Sequence, residues 1–207
     1  MNIILEFENF LKQRHAQNIK EKLIEFESYI THPKHLQVVS DEIIDFLDIK
    51  EGKPTRFESF ARYIETRYDV NKYNNVLEVG CGPTAELAKE LIKRNYNVTC
   101  IDKVVIPNDD FKCIKELFDY RTFDVNEYDL IVGLEPCEAT EHILLGGLKN
   151  NKPFVISLCY SPHDSIDGKK FENYVDWDNY LIEKSNGKAY IDQRKVLGQH
   201  HRILRNK

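Results

Sequence analysis

No stretch of the chain approaches the roughly 20 consecutive apolar residues that a membrane-spanning helix requires, so its 42% hydrophobic content is available for a water-excluding core. The five cysteines, Cys81, Cys100, Cys113, Cys137 and Cys159, include no CxxC pair. An odd number at such wide spacing argues against a disulfide framework, and without clustered histidines it carries no zinc signature and no metal is expected. Most of these thiols lie inside apolar runs, where burial in the reduced state is expected. A strong charge of either sign is missing as well: 29 Lys and Arg stand against 34 Asp and Glu, a net charge of -5, which gives no general pull toward nucleic acid and no DNA signal. The opening MNIILEFENFLKQRH has acidic residues where a secretory leader carries positive charge, so a cytoplasmic setting is expected. Internal repeats and low-complexity tracts are lacking too. At 207 residues, one substantial core with a small appendage is the expected organisation.

What is present divides near residue 70. Residues 1–70 read as helices forming an extension or lid. Ile19, Leu23, Phe26 and Ile30 fall at the spacing that lays one apolar stripe along a helix. A second helix is expected after Ser40, with Ile43, Ile44 and Leu47 inward. Thr55 and Glu58 are spaced as a capping box at the start of a third, on which Phe57, Phe60, Ala61 and Ile64 form a core-facing stripe. Arg56 and Lys53, at this connection, are candidates to reach a ligand carboxylate.

From residue 71 to 207 the period shortens. NVLEVG, NVTCID, FKCIKELF, YDLIVGL and PFVISLCY are β-rich runs, apolar on both faces as strands covered by helices are. Helical segments AELAKELIKR and EATEHILLGGLK separate the first pair and the last pair, the alternation of an α/β, doubly wound, mainly parallel sheet. Asn186-Gly187 is a hairpin turn signal, so a C-terminal antiparallel pair of strands is expected there. Lys188, Arg194, Lys195, Arg202, Arg205 and Lys207 make this last stretch locally basic, which suits either an anionic partner such as RNA or a charged edge strand that resists aggregation.

The segment VLEVGCGPTAEL carries the functional signal. A strand that ends in glycines and opens a helix offers backbone N–H groups, the positive end of a helix dipole and close approach to a ligand. Gly80, Gly82 and Ala85 also satisfy the dinucleotide pattern, with Asp102 placed as a ribose acid. Glu78 shifts the balance. A carboxylate beside the loop does little for a pyrophosphate, whereas S-adenosylmethionine carries an ammonium and a sulfonium and no phosphate.

VLEVGCGPT resembles the first motif, (E/D)-x-G-x-G, of class I S-adenosylmethionine-dependent methyltransferases, over roughly residues 72–160. The resemblance implies a Rossmann-like methyltransferase fold with S-adenosylmethionine as cofactor. It implies a donor site formed by Glu78, Gly80, Cys81, Gly82, Asp102, Lys103, Glu116 and Leu117, with Asp102 accepting the ribose hydroxyls, Glu116 near the adenine amino group and Asp119 as its rival. YDLIVGLEPC resembles the fourth strand and the acceptor-side motif after it. The chain departs from the family at Pro83-Thr84, where many members have a further glycine, and at Leu134-Glu135-Pro136-Cys137, which is unlike the motif of base-amine methylases.

Methyl transfer from a sulfonium needs alignment and, for some acceptors, a base. Glu135, Glu138 and His142, all just after the fourth strand, are the candidates, Glu138 and His142 being four apart on one helical face. His163 and Asp164, after the fifth strand, can also line the crevice. The expected function is methyl transfer to a small molecule or RNA. The alternatives are a non-catalytic module on the same fold and an NAD-dependent oxidoreductase using the same glycines.

Overall fold

Helix-period spacing produces three helices in the first part of the chain: α1 (Ile3–Gln13), α2 (Ile19–Thr31) and α3 (Asp41–Lys50). The computed structural model describes residues 3–31, 40–192 and 202–206. Phe7 and Leu11, one turn apart on α1, meet Phe26 of α2 and Ile43 and Phe46 of α3 in a dry core. The Phe26 and Phe46 rings meet edge to face at 5.6 Å, the arrangement favoured by ring quadrupoles. Ile30, expected inward, is exposed, and Phe46 rather than Ile44 or Leu47 joins Ile43 in full burial. Asp45 is buried beside them, and its charge is balanced by Arg14 at 3.1 Å and Arg56 at 3.3 Å; a buried carboxylate without such partners would cost several kcal/mol. Arg56 therefore serves an internal ion pair, and Lys53 pairs with Glu51.

The chain forms two compact units, residues 1–56 and 57–207. The fourth helix, α4 (Arg56–Glu65), starts directly after Thr55, where the capping pattern puts it. Its Phe60, Ala61 and Ile64 are buried in the core of the sheet. The division therefore falls at 56/57 rather than at 70, because the α4 stripe is part of the second core.

That second unit is built on β1 (Asn75–Val79), α5 (Glu86–Ile92), β2 (Asn97–Ile101), β3 (Lys112–Ile114), β4 (Leu130–Leu134), α6 (Thr140–Lys149), β5 (Phe154–Ser157), α7 (Tyr174–Lys184), β6 (Ala189–Asp192) and β7 (Ile203–Asn206). The sheet order is β3-β2-β1-β4-β5-β7-β6. The first five strands are mutually parallel, and β7 runs antiparallel to both β5 and β6. Alternation along β1 sorts two cores: Val76 faces α4 and α5 with Val98, Leu130 and Val132, while Leu77 and Val79 face α6 and α7 with Ile101, Ile131, Ile143 and Trp177. This is the expected doubly wound, mainly parallel sheet with an antiparallel C-terminal pair.

Three local features differ from or add to the expectations. Asn186 and Gly187 have φ of 50° and 73°, but they lie between the end of α7 and β6 rather than between two paired strands. The left-handed backbone that a tight hairpin needs is the same one that ends a helix. Second, α7 itself is started by Asn173, whose side chain accepts the N–H groups of Val175 and Asp176. Third, β7 is an interior strand, so its charge is no edge defence: Arg202 pairs with Asp178 at 2.7 Å and Arg205 lies 4.8 Å over the Tyr190 ring. Arg194, Lys195 and Lys207 of the basic stretch are outside the described residues.

Candidate functional site

The chain leaves β1 toward β2 and β3 on one side and returns to β4 and β5 on the other, so the strand order reverses at β1 and β4. Loops diverge at such a reversal and open a crevice beyond the strand ends. A cavity of about 310 Å³ lies there. Its wall is made by Val79 and Gly80 at the end of β1, Ile101 to Val104 at the end of β2, Glu116 to Phe118 after β3, and Glu135 to Ala139 after β4. Of the residues singled out in the sequence, Gly80, Asp102, Lys103, Glu116, Leu117, Glu135 and Glu138 line it. Glu78, Cys81, Gly82 and His142 are not part of that wall.

The two glycines have different reasons. Gly80 has φ of 72°, and a Cβ there would meet Pro136 Cα and Cβ at 2.9 Å; its bareness lets the loops after β1 and β4 touch. Gly82, at φ 67°, faces open space, and its N–H donates to Asp102 Oδ2 at 2.9 Å. The other carboxylate oxygen of Asp102 accepts the Val104 N–H at 3.0 Å. Two backbone donors thus fix the carboxylate at the tip of β2, each oxygen retaining a lone pair for another donor. Pro83 lies in the turn before α5, which begins only at Glu86 after Ala85 in left-handed conformation. The loop therefore presents few N–H groups for a phosphate: Pro83 has none and that of Gly82 is taken by Asp102.

Glu78 faces the α5 side of the sheet. It is 2% exposed and accepts the Cys100 thiol at 3.3 Å. Desolvation pushes its carboxyl up to about 7, with the nearby Asp102 and Glu86 charges adding to the rise and the Cys100 thiol and Ala88 N–H opposing it. The sequence expectation that Glu78 turns its carboxylate to the ligand is corrected on this point, since even-numbered β1 side chains point into the α4–α5 core. Cys81 is half-buried beside it.

On the opposite wall the backbone is strained. Glu135 and Cys137 have φ of 51° and 50°, a conformation that costs non-glycine residues about 1–2 kcal/mol each. Between them Pro136 packs on Gly80, and Gly133 admits Pro136 Cγ and Ile143 Cδ1, which a Cβ would meet at 2.8 Å. Glu135 and Glu138 are thereby turned toward the cavity. His142, one turn into α6, is elsewhere: its Nδ1 accepts the Tyr120 N–H at 3.4 Å and stands 3.6 Å from Asp119, and burial lowers its pKa. Asp119 is held well below the usual carboxylate range by Arg121, and it is outside the cavity wall.

Sequence reasoning missed one grouping. Cys137, Cys159 and His163 bring their ligand atoms within 4.8 Å of one another, with Cys159 Sγ donating to Cys137 Sγ at 3.6 Å. Neither thiol is buried in an apolar core as expected; Cys137 is exposed and Cys159 half-buried, and only Cys100 is fully buried. The signal lay in strand register, since Leu134 of β4 opposes Ser157 of β5, and it is invisible to a search for close spacing along the chain. Asp164 is exposed.

No known family description and no curated protein matches the chain. Several solved structures align with it at low identity. The sugar N-methyltransferase of Streptoalloteichus is 12% identical, aligned over 83% of this chain and 94% of its own, with a TM-score of 0.49. The 1,6-didemethyltoxoflavin N1-methyltransferase of Burkholderia thailandensis, solved with its substrate and S-adenosylhomocysteine, is 13% identical over 93% and 89%, also at 0.49. Human N-acetylserotonin methyltransferase, solved with S-adenosylmethionine, is 13% identical over 96% of this chain and 69% of its own, at 0.48. The fold is a Rossmann-like, doubly wound sheet with an antiparallel strand. The sheet order and the antiparallel β7 between β5 and β6 carry that statement, and within this fold the cavity lies at the reversal of strand order, where ligands of doubly wound sheets bind.

Proposed function

We propose that the chain is an S-adenosylmethionine-dependent methyltransferase acting on a small-molecule acceptor. The observation that carries this is the charge of the cavity wall: among the described residues Asp102, Glu116, Glu135 and Glu138 line it, with Lys103 as the one cation. A wall with that excess of carboxylates favours a ligand that is cationic and free of phosphate, as the donor is, and disfavours the pyrophosphate of NAD. The anchored Asp102 carboxylate would accept the ribose hydroxyls, Glu116 and Leu117 would border the adenine, and Glu135 and Glu138 would face the acceptor. Methyl transfer then needs little beyond alignment, with Glu135 receiving a proton where the acceptor must lose one.

Calorimetric titration tests the donor assignment. S-adenosylmethionine and S-adenosylhomocysteine are expected to bind in the micromolar range or tighter and NAD not at all. At a hundredfold excess over Kd the ligand should add about 2.7 kcal/mol of stability. Asp102→Asn removes the charge and leaves one oxygen to accept only one of the two loop N–H groups, and it should weaken donor binding at least tenfold. NAD binding in place of the methyl donor would move the chain to the oxidoreductases.

A further inference from the structure

We propose that Cys137, Cys159 and His163 form a zinc site with three protein ligands, whose fourth position opens beside the cavity and takes a thiol acceptor. The metal part stands on its own observations; the acceptor part rests on the methyltransferase reading.

The donor set fits the ion. Two thiolates and an imidazole are ligands that select zinc. A tetrahedral ion with Zn–S bonds of about 2.3 Å sets its two sulfurs about 3.8 Å apart, and here they are 3.6 Å apart. All three ligand atoms lie within 4.8 Å of one another, so closing on an ion requires side-chain rotation and no rearrangement of the strands. His163 Nε2 is buried with no hydrogen-bond partner. A buried ring nitrogen without a partner is costly, and a metal bond would satisfy it.

The supports of the ligands are independent of the ion. Arg202 donates to the Cys159 carbonyl at 2.8 Å while holding Asp178. The loop after β5 is pinned where the buried Glu141 carboxylate accepts the Ile166 N–H at 2.7 Å and the Tyr180 hydroxyl at 2.7 Å. Cys137 is presented by the strained turn after β4. A site with only three protein ligands keeps a position for substrate, as catalytic zinc sites do, and Cys137 belongs both to the trio and to the cavity wall.

A soft thiolate suits that fourth position. An acceptor thiol would bind there as its thiolate, its proton passing to solvent past the exposed Glu138. The sulfur lone pair then forms the new S–CH3 bond as the sulfonium C–S bond of the donor breaks, and the electron pair of that bond stays on the donor sulfur to give neutral S-adenosylhomocysteine. No redox partner is required.

The test uses the full chain, reduced and metal-free, titrated with Co2+ alone. One equivalent should bind with a thiolate-to-cobalt charge-transfer band in the near ultraviolet, and Zn2+ should displace it and abolish the band. Cys159→Ser and His163→Gln should each weaken binding at least tenfold, whereas Cys113→Ser should leave it unchanged; circular dichroism confirms that each variant is folded. Absence of the band, or a band that survives in Cys159→Ser, overturns the metal site. Adding small thiols to the cobalt form should shift the band, and no shift overturns the acceptor part. S-adenosylhomocysteine titrated into the same samples separates the two failures: donor binding without metal sinks only this inference, and metal without donor binding sinks only the methyltransferase assignment.

Discussion

At the residue scale, Glu78 is a carboxyl buried on the α5 side of the sheet. Its carboxyl ordinarily titrates near 4.5 and in the folded chain near 7. Below about pH 4.5 it is protonated whether the chain is folded or not and contributes nothing. As pH rises further the unfolded chain ionises first, so folding stability falls until about pH 7 and then stays lower, by roughly 3 kcal/mol. Glu78→Gln removes this fall. Urea unfolding should show the variant gaining roughly 2–3 kcal/mol over the parent between pH 5 and pH 8, and an equal difference at both pH values would refute the assignment. Glu135→Gln should behave otherwise: donor affinity kept within about twofold and turnover lowered, on the order of a hundredfold for loss of a general base. A fully active variant would return Glu135 to a structural role.

At the element scale, the glycine loop separates two uses of the same residue. Gly80→Ala brings a Cβ to 2.9 Å from Pro136 at a left-handed φ, and denaturant unfolding should show a loss on the order of 3 kcal/mol or more. Gly82→Ala meets only open space, so its stability should fall by about 1–2 kcal/mol from the backbone alone. A larger loss at Gly82 would contradict this assignment of roles. The strands β1, β2, β4 and β5 were legible because apolar β-branched runs bounded by turn residues have few other uses. FKCIKELF was legible only in part: three residues of it pair as β3, since Glu116 and Leu117 turn out to the cavity. The helix α7 went unread because its inward residues, Trp177 and Leu181, are set among acidic and polar neighbours, and the glycine that follows invited a hairpin. The site divides the same way. The place of Asp102 on the cavity wall was legible from its position at a strand tip, whereas the trio Cys137, Cys159 and His163 comes together only through the register of β4 on β5.

At the scale of the whole molecule, the described residues that line the cavity all belong to 57–207. A chain beginning at Lys53 retains Thr55 ahead of α4 and should fold cooperatively and bind S-adenosylhomocysteine within about threefold of the full chain. Loss of binding in that folded fragment would assign part of the donor site to the first helical unit. Among the described residues no helix is long and apolar enough to cross a membrane.

The place of β7 has a consequence for synthesis. Residues 203–206 insert between β5 and β6 and pair with both, so this sheet stays unfinished until a strand made after β6 has left the ribosome. Until then β5 presents an open edge, and long-range pairing of this kind is slow to form. The nascent chain must therefore wait, with its central strands made and one side of β5 uncovered, for a strand that is made after β6.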